Sequence, residues 1–134
     1  MKTKTKCKVC NLVKVVDNFL REIEGEIKNV EFGEVKDEIE KLTSKLSIVL
    51  SKWVPQILCC LYKNVLSFNE LKRKLNISSR VLSDKLEVLE RECLIVRDVK
   101  FKPLRVYYRL MDFGRDVAIS LILLMLLLNR SRHL

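Results

Sequence analysis

What most constrains this chain is the order of short periodic segments between residues 67 and 110. Ser67-Phe68-Asn69-Glu70 has the form of a capping box. The serine can accept from the Glu70 amide, and the Glu70 side chain can reach back to the Ser67 amide. That predicts a short helix over about 68–75 with Leu71 and Leu75 inward. Asn76-Ile77-Ser78 makes a tight turn, and Ser78 can cap a further helix over about 79–92. Leu82, Leu86 and Leu89 form its apolar stripe at helical spacing. Leu94–Lys100 and Arg105–Leu110 then alternate as strands, joined by the basic tip Phe101-Lys102-Pro103-Leu104.

Two short helices, a tight turn and a basic hairpin are the order of a winged helix-turn-helix. The expected fold is mainly α with a small β-hairpin, a winged helix-turn-helix carrying extra N- and C-terminal helices for dimerisation. Residues 1–8 read as a mobile tail. Leu12, Val16, Phe19, Ile23 and Ile27 then place an apolar stripe on a helix over 9–29. Asp17 with Arg21, and Glu24 with Lys28, are i,i+4 pairs on its polar side. Glu31-Phe32-Gly33 reads as a break. A second helix is expected over about 34–50, and a third over 52–63 with Ser51 as its cap and Pro55 in its first turn. The last helix is expected over about 112–130. Residues 1–33 therefore form a tail and dimerisation helix, and residues 34–134 the winged domain with its C-terminal dimer helix.

Val117–Leu128 is apolar except for Ser120 and is too short to span a bilayer, which takes about 20 residues. The better reading is a helix that packs against its symmetry mate together with the 9–29 helix. No apolar stretch with a cleavage site follows the basic N-terminus, so a cytoplasmic location with no membrane partner is expected. Three glycines in 134 residues leave no phosphate-binding loop, and the single histidine, His133, supplies no nucleophile–base set. The chain is expected not to be an enzyme and to need no cofactor.

Charge is localised. Residues 52–110 hold 13 Lys/Arg against 6 Asp/Glu, whereas residues 1–51 hold 10 against 9 and residues 111–134 hold 3 against 2. A polyanion-binding surface requires such a concentration. Double-stranded DNA is thus the expected partner, with the 79–92 helix in the major groove. Ser78, Ser79, Arg80 and Ser83 lie at or near its N-terminal end, and Arg80 is the candidate for a guanine contact. Asp84 and Glu87 fall further along, where Glu87 can pair with Arg91. Lys100, Lys102 and Arg105 on the wing, over about 100–105, suit the backbone or minor groove, and Lys72 a phosphate. Each residue alone could be an ordinary solvated charge, but the order and spacing of the set are more specific.

Ser51–Arg115 resembles the HxlR-type winged-helix transcriptional regulators. The matching stretches are Lys52-Trp53, Phe68-Asn69-Glu70-Leu71 and Ile77-Ser78-Ser79-Arg80-Val81-Leu82-Ser83. Leu94-Ile95-Val96-Arg97, Val106-Tyr107-Tyr108-Arg109-Leu110 and Gly114-Arg115 complete them. The resemblance implies a homodimer that dimerises through terminal helices and reads a two-fold-related site. The chain departs from the family pattern at Ser51, Met111 and Cys93, the last standing where the family's step into the second strand carries glycine.

Cys7 and Cys10 form a lone CxxC flanked by Lys6 and Lys8. A structural zinc site needs four ligands, which two subunits could supply together. Lysines nearby favour a reactive thiolate, so redox sensing is another reading, beside a tail with no role. Cys59, Cys60 and Cys93 read as small buried side chains. Two alternatives to a DNA-binding regulator stay open: a protein-interaction module on the same scaffold, and a cysteine-based redox- or metal-responsive regulator. The effector is not legible.

Overall fold

A computed structural model describes residues 2–130, with side chains described for residues 11–129. The elements in order are α1 (Lys2–Ile27), α2 (Phe32–Val49), α3 (Val54–Lys63), β1 (Leu66–Ser67), α4 (Phe68–Leu75), α5 (Ser79–Arg91), β2 (Ile95–Phe101), β3 (Leu104–Leu110) and α6 (Asp112–Arg130). The chain divides into two compact units, Met1–Lys45 and Leu46–Leu134.

The first unit holds α1 and most of α2. Helix α1 starts at Lys2, so the segment expected as a mobile tail is helical instead. Lysine is a good helix former, and no glycine or proline interrupts the run before Gly25. Glu24 and Lys28 pair at 3.7 Å on its polar side. The break between α1 and α2 falls over residues 28–31, just before the expected Glu31-Phe32-Gly33. Gly33 lies in the first turn of α2, where its φ is negative and it acts as an ordinary helical residue. No residue of α2 is buried.

The second unit carries the core. Val54, Ile57, Leu58 and Leu61 of α3, Leu71 of α4, and Leu82, Leu86 and Leu89 of α5 close around Leu66, Leu94, Ile95 and Tyr108 from the sheet region. Ala118 and Leu121 of α6 complete it, with α6 packed on α3. Helix α3 begins at Val54 rather than at 52, because Trp53 turns the backbone to φ 77°. The expected Ser51 cap is not made: its hydroxyl donates to the Ile48 carbonyl at 2.7 Å, closing off α2, and accepts from Lys85 Nζ at 3.3 Å.

The sheet has three antiparallel strands in the order β1-β3-β2. The β2–β3 hairpin was legible from alternation, but the two-residue β1 was not. Leu66 and Ser67 pair with Tyr108 and Tyr107, so β3 is the central strand. Gly114, one turn into α6, lies against the Leu94 carbonyl so closely that a Cβ would collide with it. That same carbonyl accepts from the Met111 amide at 3.0 Å. Among the described residues, no helix is long and apolar enough to cross a membrane.

Candidate nucleic-acid interface

Local chemistry builds the helix pair. Ser67 Oγ accepts from the Glu70 amide at 3.2 Å, which is the serine half of the expected capping box. Helix α4 ends at Asn76, whose φ of 50° and ψ of 49° are left-handed. Asparagine tolerates this conformation, which lets the amides of Asn76 and Ile77 fold back onto the Lys72 carbonyl. Ile77 drops into the core at 5% exposure and Ser78 opens α5. Ser78 Oγ accepts from the Val81 amide at 3.3 Å. Its side-chain oxygen is therefore committed to capping, and Ser79 and Arg80 of the first turn are exposed.

Leu82, Leu86 and Leu89 are at most 2% exposed and hold α5 against the core. Its opposite face turns Arg80, Ser83, Asp84 and Glu87 to solvent. Glu87 meets Arg91 at 3.8 Å near the far end of the helix, as the i,i+4 spacing predicts. The positive end of the helix and the Arg80 guanidinium thus share one end, away from that ion pair. Ser83 also lines a cleft of about 400 Å³ between α5 and the wing, together with Phe68, Glu87, Glu90, Arg97 and Tyr108.

The wing is the β2–β3 hairpin. Phe101 pairs with Leu104 and Lys100 with Arg105, so the tip narrows to Lys102-Pro103. Lys100 Nζ lies 5.2 Å from the centre of the Tyr107 ring. Lower down, Arg109 Nε donates to Asp98 Oδ2 at 2.9 Å across the two strands. Among the described residues, Lys72, Arg80, Lys100, Lys102 and Arg105 form no salt bridge, unlike Lys28, Lys41, Arg91 and Arg109. Arg73 and Arg105 line a second cleft, of about 550 Å³, between α4 and the wing.

Ser79, Arg80, Ser83, Lys72 and the three wing cations all belong to the second unit and all are exposed. Cys7 and Cys10 are different: their side chains lie outside the described residues, as does His133. Among the cysteines described, Cys59 and Cys60 are half-buried, while Cys93 is exposed rather than buried as expected. Burial, followed by the neighbouring Cys60, pushes the Cys59 thiol above its ordinary range. Tyr108 is also raised, chiefly by burial, with Arg97 opposing and Glu90 reinforcing the shift. No group of three or more metal-binding side chains occurs among the described residues. Sequence reasoning passed over Phe101 and Leu104, the most exposed large apolar side chains of the wing at 74% and 70%.

A capped second helix with one solvent face, beside a cationic antiparallel wing, defines a winged helix-turn-helix of the transcription-regulator class. The HxlR-like helix-turn-helix model matches residues 48–132, and the chain belongs to that family. It is 37% identical over 75 residues to YvaP of Bacillus subtilis, an uncharacterised HTH-type transcriptional regulator, covering 54% of this chain and 69% of that one. The transcriptional regulator HlyU from Vibrio vulnificus superposes with a TM-score of 0.58 at 28% identity, covering 73% of this chain and 98% of the other. The reduced form of the transcriptional regulator YodB from B. subtilis gives a TM-score of 0.56 at 26% identity, covering 60% and 80%.

Proposed function

We propose that the protein is a sequence-specific regulator that binds double-stranded DNA as a homodimer, with α5 in the major groove and the wing on the backbone or minor groove. The observation that carries this is the clustering of unpaired cations. Arg80 at the helix N-terminus and Lys100, Lys102 and Arg105 on the wing are exposed and free of acidic partners, where a polyanion would meet them. Ser79, Arg80 and Ser83 are the base- and phosphate-reading set, Ser78 caps the helix that presents them, and Lys72 is a phosphate contact.

Dimerisation rests on the uncovered apolar faces. Ile119, Leu124 and Met125 of α6 are 43–45% exposed while Ala118 and Leu121 on the same helix are buried. Helix α1 leaves Leu12, Phe19 and Ile27 exposed in the other unit. Large apolar side chains in such number are normally covered by a partner surface. Residues 1–33 and α6 are assigned this role, giving a two-fold particle that reads related half-sites.

The test is fluorescence anisotropy with duplexes from upstream of the protein's own gene and with random duplexes, at low and moderate salt. Tight, salt-sensitive binding that prefers an upstream duplex and weakens in Arg80→Ala is expected. Equal binding to all duplexes would make it a non-specific DNA binder, and no binding at low salt would leave the protein-interaction module.

A redox-responsive regulator is a second reading, favoured by the likeness to YodB of B. subtilis, which has been solved both reduced and after diamide treatment. Burial works against a Cys59 thiolate. That reading falls first on Cys7 and Cys10 and then on the exposed Cys93, and diamide treatment with and without Cys7→Ser, Cys10→Ser and Cys93→Ser tests it through DNA affinity.

A further inference from the structure

We propose that the wing tip is an apolar wedge for the DNA minor groove, with Phe101 and Leu104 entering between cations that sit at the phosphate lips. The inference rests on the DNA-binding reading above and deepens it by naming which groove the wing takes and what it does there. The strand register gives the geometry. Ile95 with Leu110, Arg97 with Tyr108, Val99 with Val106, and Phe101 with Leu104 are successive cross-strand pairs on one face of the hairpin. That face starts in the core, where Ile95 is 1% and Tyr108 8% exposed. It then runs out past the helices, leaving Arg97 and, beyond it, Val99, Phe101 and Leu104 in solvent.

The other face carries Val96 with Arg109, Asp98 with Tyr107, and Lys100 with Arg105. Four of its members are engaged with each other through the Arg109–Asp98 bond and the Lys100–Tyr107 contact. Phe101 and Leu104 face each other across the strands yet remain mostly exposed, leaving more apolar surface bare than a tip built only for solubility or phosphate contact needs. Charge selects the occupant. Lys100, Lys102 and Arg105 surround the pair without acidic partners, so a second copy of the same tip would be repelled and a polyanion attracted. The minor groove offers the matching surface: C–H walls of deoxyribose within, phosphates at the rim. A groove about 6 Å wide admits the side chains of a two-residue turn rather than a helix. Apolar side chains placed there widen the groove and partly unstack a base step, which is easiest at pyrimidine–purine steps. The wing then adds a preference for deformable sequence beside the bases that α5 reads.

The experiment uses the full chain and duplexes tiled across the DNA upstream of its own gene, with 2-aminopurine placed at pyrimidine–purine steps. The Phe101→Ser/Leu104→Ser double variant is compared with Arg80→Ala and the parent. Both wing positions are mostly exposed, so the double variant should melt with the parent, which circular dichroism checks. The parent is expected to raise 2-aminopurine fluorescence at a step flanking its best site. The double variant should lose that signal and bind roughly tenfold or more weakly with an unchanged salt slope, since buried apolar area is lost and no charge is. A double variant that matches the parent in affinity and fluorescence, while Arg80→Ala is weakened, overturns the wedge and leaves the DNA reading standing. A double variant altered only in oligomeric state also overturns it, assigning the tip to a second copy. Failure of the parent to bind any duplex at low salt removes both readings together.

Discussion

Gly114 faces the Leu94 carbonyl, and Cys93 precedes Leu94 in a strained turn. A methyl group at 114 would strike that carbonyl, and neither the start of α6 nor the start of β2 can shift without breaking the Met111–Leu94 hydrogen bond. Gly114→Ala is therefore expected to destabilise the fold by about 2 kcal/mol, seen as a lower midpoint in thermal or urea unfolding. Cys93 has φ 60°, a left-handed conformation that costs a residue with a Cβ about 1 kcal/mol or more. Cys93→Gly should raise the melting midpoint; a lower one would mean that the cysteine side chain compensates. Tyr108 has a raised hydroxyl pKa, mainly from burial. The folded state then holds its proton more tightly than the unfolded chain, whose value is about 10. Its contribution is complete below about pH 10 and is lost as pH rises through the folded value. Stability should fall on the alkaline side, and Tyr108→Phe should flatten that decline in unfolding curves measured from pH 8 to 11. The family pattern marks position 93 as a glycine site, but the collision at 114 is invisible in sequence, because Leu94 is distant along the chain.

At the scale of elements, the helix-turn-helix was legible because its signals are local. Ser67 and Ser78 each satisfy the amide three residues on, and the leucines of α5 repeat at helical spacing. Helix α6 was also legible, from its long apolar run. Several boundaries slipped, some of them because contacts from elsewhere set them. Trp53 moves the start of α3, Ser51 serves α2 and Lys85 instead of capping, and β1 exists only because β3 lies beside it. The wing separates charge from shape in a testable way. Lys102 is exposed and unpaired at the tip. Lys102→Ala should weaken binding to all duplexes alike and reduce the salt slope by about 1, measured by anisotropy across a salt series. A change in sequence preference instead would show that Lys102 touches bases.

At the scale of the molecule, the second unit has a closed core and the apolar surface that remains lies chiefly on helices and on the wing tip. Met125→Glu would place a charge at a half-exposed position of α6, one turn beyond the buried Leu121. It is expected to convert a dimer into a monomer in multi-angle light scattering at micromolar concentration, with little change in helicity. A variant that stays dimeric would move the interface off this face. The resemblance of the chain's motifs pointed to the family, and the sequence by itself determined the fold class, the order of the winged elements and the location of positive charge. Those follow from local spacing, capping chemistry and composition, which need no knowledge of distant neighbours. Only the tertiary structure decided that β3 is central, that Gly114 must lack a side chain, and that the apolar face of the wing continues past the core to Phe101 and Leu104. Each of these depends on which distant segments meet and where that covering stops, and a periodic pattern along the chain reads the same whether its apolar face is covered or bare.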